Sequence, residues 1–101
     1  MNTDTLQVAQ TILQQLGGAK FVVMTGATSF AGGTDALSMR IGRNAAGITA
    51  VKITLTPLDL YTITYYRMRG SKVEIVREDE NVYAEDLQGF FTRATGLDTH
   101  L

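Results

Sequence analysis

The chain has 101 residues, of which 45% are hydrophobic and 19% charged, and its formal net charge is −1. This length fits one domain over residues 1–101 that buries its own core, and the composition argues against disorder. The chain has no cysteine, no apolar run near the ~18 residues of a membrane span and no signal-peptide pattern, so we expect a soluble cytoplasmic protein without disulfides or membrane contact.

The N-terminal segment has the pattern of an amphipathic helix over about residues 4–16. Thr3 or Asp4 can cap its first turn, and Gly17 stands where a left-handed terminating residue is common. The apolar stripe of this predicted helix consists of Leu6, Ala9, Ile12, Leu13 and Leu16.

The next stretch, residues 20–33, reads KFVVMTGATSFAGG and looks like the strand and phosphate loop of a dinucleotide-binding fold. That fold needs a helix directly after its glycine loop, to hold the pyrophosphate. The residues after Gly33 alternate as a strand instead, and Ser29 stands where the backbone's approach to phosphate needs a glycine. We therefore expect KFVVMT to form the first strand and residues 26–34 to form a Gly-rich connector that binds no nucleotide or other cofactor.

The middle of the chain changes to a period of two. Residues 37–41 and 51–56 alternate apolar with polar side chains, and two further strands flank Gly70-Ser71, a pair suited to a type II′ hairpin. The C-terminal segment VYAEDLQGFFTRATGL, residues 82–97, repeats the amphipathic helical pattern, and Gly96 ends it. The predicted fold is α+β: a five-stranded, mainly antiparallel meander with both terminal helices on one face, in the order α-β-β-β-β-β-α.

Three blocks of the sequence resemble a family of small proteins of bacteriophages, prophages and conjugative elements. They read QLGGAKFVVMTGATSF, ITAVKITLTPLDLYTI and NVYAEDLQGFFTRATGL. The shared pattern is Leu-Gly-Gly-x-Lys-Phe-x-x-Met-Thr-Gly-Ala, then Val-Lys-Ile-x-Leu with Asp-Leu-Tyr, then Phe-Thr-x-x-Thr-Gly-Leu. The resemblance implies a mobile-element setting in the cytoplasm of a host cell, and it implies no catalytic residues.

Residues suited to catalysis are sparse. The single histidine, His100, is next to the C-terminal residue, and the acidic run from Glu78 to Glu80 fits a solvated turn better than a metal site. No serine has the pattern of a nucleophile elbow. We therefore expect a protein that is not an enzyme and that holds no metal.

The β-hairpin predicts which side chains share a face. The expected register places Arg69 opposite Lys72 and Met68 opposite Val73. The side that carries Tyr66 and Met68 is then expected to pack against the helices and form the core. Residues 40–72 carry a net charge of +5 and the rest of the chain −6, which favours a charged interaction surface in the middle. The predicted binding surface is the opposite, open side, formed by Arg40, Lys52, Tyr61, Ile63, Tyr65, Arg67, Arg69 and Lys72.

Three interpretations of this predicted surface remain open. It could contact protein, either a second copy or a host or phage complex that the protein inhibits, for example in anti-defence, since Tyr and Arg are common interface anchors. It could bind single-stranded nucleic acid, with bases stacked on the tyrosines. It could also have no binding role, with cross-strand pairs such as Arg67 with Glu74 and Tyr65 with Val76 only stabilising the sheet. We expect protein contact first and nucleic acid second, with the acidic helical side as a further possible interface.

Overall fold

The computed structural model describes residues 3–97, so His100 and the residues around it lie outside the described part. Within residues 3–97, no helix has the length and apolar character needed to cross a membrane. The elements in chain order are α1 (Thr3–Leu16), α2 (Ala19–Thr25), β1 (Thr28–Gly32), β2 (Ala36–Arg40), β3 (Ala50–Leu55), β4 (Tyr61–Arg69), β5 (Lys72–Val82), a 3-10 turn (Ala84–Asp86) and α3 (Leu87–Thr95).

The five strands form one antiparallel sheet in the order β1-β2-β3-β4-β5, so each strand pairs with its neighbour in sequence. The helices pack on one face of this sheet. Ile12 and Leu16 of α1 and Phe91 of α3 are fully buried in the same core as Val51 and Ile53 of β3. This arrangement confirms the α+β meander and the two amphipathic terminal helices.

The segment predicted as the first strand is helix α2 instead. Phe21 and Thr25, four residues apart, are its buried residues, while Val23 is 80% exposed. The ring of Phe21 packs edge-on against Phe91 with 5.1 Å between centroids. The paired valines favour a strand by propensity, but this tertiary contact places one helical face in the core and overrides it. Gly26, at φ 68°, ends the helix.

The true first strand, β1, lies inside the Gly-rich segment that we expected to be a connector. It pairs with β2 through Ala31 with Ser38 and Gly32 with Leu37. Its pairing is irregular between Thr28 and Ala31, and Ser29 there has φ 55°. Because both sides of this short edge strand are exposed, its sequence lacks the apolar alternation that usually marks a strand. The helix–strand order is therefore α-α-β-β-β-β-β-α.

The β4–β5 hairpin has the predicted register at its turn. Arg69 pairs with Lys72, and Met68 with Val73, and Gly70 has the positive φ of 59° that a type II′ turn requires at its first position. Farther from the turn the register shifts, because Tyr66 pairs with Ile75 whereas Tyr65 pairs with Arg77. The predicted pair of Tyr65 with Val76 is therefore wrong, since Val76 is the extra residue of a β-bulge.

Candidate functional site

The face of β4 that was predicted to be open is the buried face. Three pairs with β3, namely Leu55 with Tyr61, Ile53 with Ile63 and Val51 with Tyr65, place the β4 side chains on the core side. Tyr61 is 4% exposed, and Ile63 and Tyr65 are fully buried. The assignment of these three residues to the binding surface is wrong. The β4 sequence has large apolar or aromatic residues at both odd and even positions, so the alternation along this strand alone could not show which face is buried.

The three basic residues near the hairpin turn were also assigned to the wrong face of the sheet. By register, Arg67, Arg69 and Lys72 lie on the helix-bearing side of the sheet. The guanidinium of Arg67 donates to the backbone carbonyls of Ala46 at 3.0 Å and Gly47 at 3.3 Å. Arg67 therefore holds the loop before β3, and it does not share a surface with Arg40 and Lys52 as predicted.

The polar ends of the two buried tyrosines have partners within the fold. The Tyr61 hydroxyl donates to Gln15 Oε1 at 2.7 Å. The Tyr65 hydroxyl lies 3.2 Å from Asp79 Oδ2, and Arg77 Nε donates to the other oxygen of Asp79 at 3.1 Å. Burial, with the negative charge of Asp79 adding to it, raises the pKa of Tyr65 well above its usual value. These contacts tie α1 and β5 to β4, which is a structural role.

The side of the sheet away from the helices carries a different set of residues, which we call the open face. Cross-strand pairs align it in rows, because directly paired residues share a face. There are four such rows: Ala36, Thr54 and Thr62; then Ser38, Lys52, Thr64 and Glu78; then Arg40, Ala50, Tyr66 and Ile75; and, nearest the hairpin turn, Met68 and Val73. Of the predicted binding surface, only Arg40 and Lys52 belong to the open face.

The open face has an apolar patch next to the hairpin turn, formed by Tyr66, Met68, Val73 and Ile75. Val73 and Ile75 are 60% and 63% exposed, Met68 is 39% exposed, and Tyr66 is half-buried. Sequence reasoning assigned these residues to the core. The register of β4 against β3 was the signal that could have corrected it, because Tyr66 pairs with Ala50, which lies on the same face of β3 as the polar residues Lys52 and Thr54.

A depression lies beside the apolar patch, over Ala50. Its volume is about 320 Å³, and the side chains around it include Arg40, Lys52, Tyr66 and Met68. The short side chain of Ala50 lies between those of Arg40 and Tyr66 in its row, so the surface dips there. The depression is open to solvent and mostly apolar, and it gives the open face a concave site in the row that also contains the exposed Ile75.

Charge is unevenly distributed over the open face. Lys52 on β3 and Glu78 on β5 are in one row on either side of Thr64, about 10 Å apart from the usual strand spacing. The Thr64 hydroxyl donates to Glu78 Oε2 at 3.1 Å, which holds the carboxylate at the face. With Arg40 on β2, the β2–β3 half of the face is basic and the β5 half is acidic.

The two sheet edges are poorly suited to strand addition. The β5 edge carries the bulge at Val76 and the charged side chains of Glu74, Arg77 and Asp79. The β1 edge is five residues long and irregular near Ser29. Bulges, charges and short strands are the features by which proteins block edge pairing, so contact through the open face is favoured over contact through an edge.

The described residues, 3–97, include no group of three or more His, Cys, Asp or Glu side chains placed to hold a metal ion. Comparison of the chain with protein-family models, with curated proteins and with solved structures gave no match.

Proposed function

We propose that this protein is a small non-enzymatic binding protein that contacts a protein partner through its open face. The observation that carries the proposal is the apolar patch, in which Val73 and Ile75 are more than half exposed beside a depression over Ala50. In the described part of the chain, the helices cover the other face of the sheet and leave this one uncovered. Contiguous exposed apolar surface of this kind usually marks an interaction site.

The chemistry of the open face favours protein over single-stranded nucleic acid. Nucleic-acid binding of that type combines several stacking aromatic rings with a basic groove. The rings of Tyr61 and Tyr65, which were predicted to stack on bases, are buried in the core. This leaves Tyr66 as the aromatic residue of the open face. Two bases, Arg40 and Lys52, share that face with Glu78. Met68, Val73 and Ile75 are exposed side by side on this face, and an apolar centre is typical of protein interfaces.

The resemblance to proteins of bacteriophages and conjugative elements extends the proposal to a biological setting. We propose a host or phage protein complex as the target, in the cytoplasm of the host, with inhibition of a defence complex as one such role.

The proposal is tested by affinity capture from a bacterial host lysate with three immobilised forms of the protein. The forms are wild type, Ile75→Asp on the open face and Val23→Asp on α2, where Val23 is 80% exposed on the other side of the molecule. Loss of a central apolar anchor costs about 2 kcal/mol or more, so Ile75→Asp should reduce specific capture by at least about tenfold while Val23→Asp matches wild type. Equal capture by all three forms, or loss with Val23→Asp alone, would show that the open face is not the binding surface.

A further inference from the structure

The open face is complementary to itself in both shape and charge. We infer that two copies of the chain pack open face to open face, related by a two-fold axis that runs along β4. The inference rests on the proposed function: it keeps the open face as the binding surface and names a second copy, in place of a host or phage complex, as the protein that covers it.

Two sheets that pack face to face lie about 10 Å apart, with their strands within about 30° of each other. A two-fold axis along β4 places β4 over β4 of the second copy and β3 over its β5, because β3 and β5 flank β4 on either side. Rotation about an axis parallel to the strands keeps each position along them. Each row of one copy therefore meets the same row of the other.

Shape is matched in the row that contains Ala50 and Ile75. These residues flank Tyr66 on β3 and β5, so the axis places the depression over Ala50 opposite Ile75 of the second copy. Ile75 is 63% exposed, and the depression of about 320 Å³ has room for its side chain. The two-fold symmetry makes this contact twice, with Tyr66 against its own copy in between.

Charge is matched in the neighbouring row. Lys52 and Glu78 flank Thr64 in the same way, so Lys52 of each copy lies opposite Glu78 of the other. An axis along β3 would place Lys52 against Lys52, and an axis along β5 would place Glu78 against Glu78. The axis along β4 satisfies the charges and the shape together, and these are independent features of the face.

The size of the face sets the strength of this association. Because β5 is an edge strand, the axis along β4 overlaps only β3, β4 and β5 of the two copies. Three strands at about 4.8 Å spacing, with about five residues of about 3.4 Å each, cover roughly 250 Å² per copy, well below the ~800 Å² per partner of a standard specific interface. We therefore expect a reversible dimer whose population depends on protein concentration.

The test is sedimentation equilibrium of Lys52→Glu and Glu78→Lys, alone and mixed, at low salt. In a dimer of either variant alone, positions 52 and 78 carry the same charge at both symmetric contacts. Their repulsion should weaken the dimer at least about tenfold. An equimolar mixture should restore association to near the wild-type level. In the mixed pair, positions 52 and 78 are both acidic in one chain and both basic in the other, so each contact again joins opposite charges. Restoration in the mixture also shows that both variants are folded.

Lys72→Glu is the matched control, since it reverses an exposed base that lies by register on the helix-bearing side of the sheet. It should leave the dimer unchanged. A wild-type protein that stays monomeric over the whole concentration series would overturn the second copy as partner, while the proposed function would still be judged by the capture comparison. A dimer that Lys72→Glu disrupts, or that neither open-face variant weakens, or that the mixture does not restore, would also contradict the inference.

Discussion

Tyr65 and Tyr66 are adjacent on β4, and their side chains lie on opposite faces of the sheet. Tyr65 is fully buried beneath the helices and pairs with Val51, whereas Tyr66 is half-buried on the open face and pairs with Ala50. This relationship fixes which side of the sheet is core and which is available for binding.

The two tyrosines should therefore differ in what they contribute to stability. Tyr65→Ala removes a buried ring and leaves a cavity, so we expect the free energy of unfolding to fall by about 3–5 kcal/mol. Tyr66→Ala should cost about 1 kcal/mol or less, since most of its loss is at the surface. Urea denaturation of the two variants measures both costs. A larger cost for Tyr66→Ala would mean that the faces of β4 are reversed.

Tyr65 should also make stability depend on alkaline pH. Its pKa is raised in the folded state, so above about pH 10 the unfolded chain loses the phenolic proton while the folded chain keeps it. The free energy of unfolding should then fall with rising pH, by up to about 1.4 kcal/mol per pH unit from this one group.

The measurement is a series of urea melts from about pH 8 to pH 11 on wild type and Tyr65→Phe. At pH 8 the variant should lose about 1 kcal/mol, for the hydrogen bond to Asp79. Above pH 10 its stability should decline less steeply than that of wild type. Parallel declines for the two proteins would mean that the Tyr65 hydroxyl ionises equally in both states.

Replacing either of two glycines with alanine should change the stability of the fold, and the two changes should have opposite signs. A Cβ on Gly42 would lie 2.9 Å from the carbonyl oxygen of Thr25, at the end of α2, so Gly42→Ala should cost about 1–3 kcal/mol through steric overlap. A Cβ on Gly89, in the exposed part of α3, would meet no atom within 4 Å. Gly89→Ala should therefore add about 0.5 kcal/mol through helix propensity. Thermal melts compare the two, and a stabilising Gly42→Ala would contradict the close approach of α2 to residue 42.

The elements that sequence predicted well are those with one clear period. The apolar residues of α1 and α3 recur at helical spacing, and Val51 and Ile53 alternate with Lys52, which is exposed. The seven residues of α2 are too few for a period to separate helix from strand. Its state depends on the contact of Phe21 with Phe91, seventy residues away, which no local pattern reveals.

The faces of the strands were predicted less well than the fold. Arg40 and Lys52 were placed correctly on the open face because β2 and β3 alternate cleanly. The two faces of β4 were exchanged because the side of the hairpin that carries Met68 and Val73 was taken as the core side. The bulge at Val76 adds a residue to β5, so alternation could not be carried along that strand either.

We propose that this protein meets its partner through the open face, and photo-crosslinking from single positions can show whether it does. A photoreactive residue at Ile75 reports on the open face, and the same residue at Val23 reports on α2, where exposure is greater. We predict protein crosslinks from position 75 in host cells, with few or none from position 23. Crosslinks from position 23 with none from position 75 would show that the partner binds elsewhere.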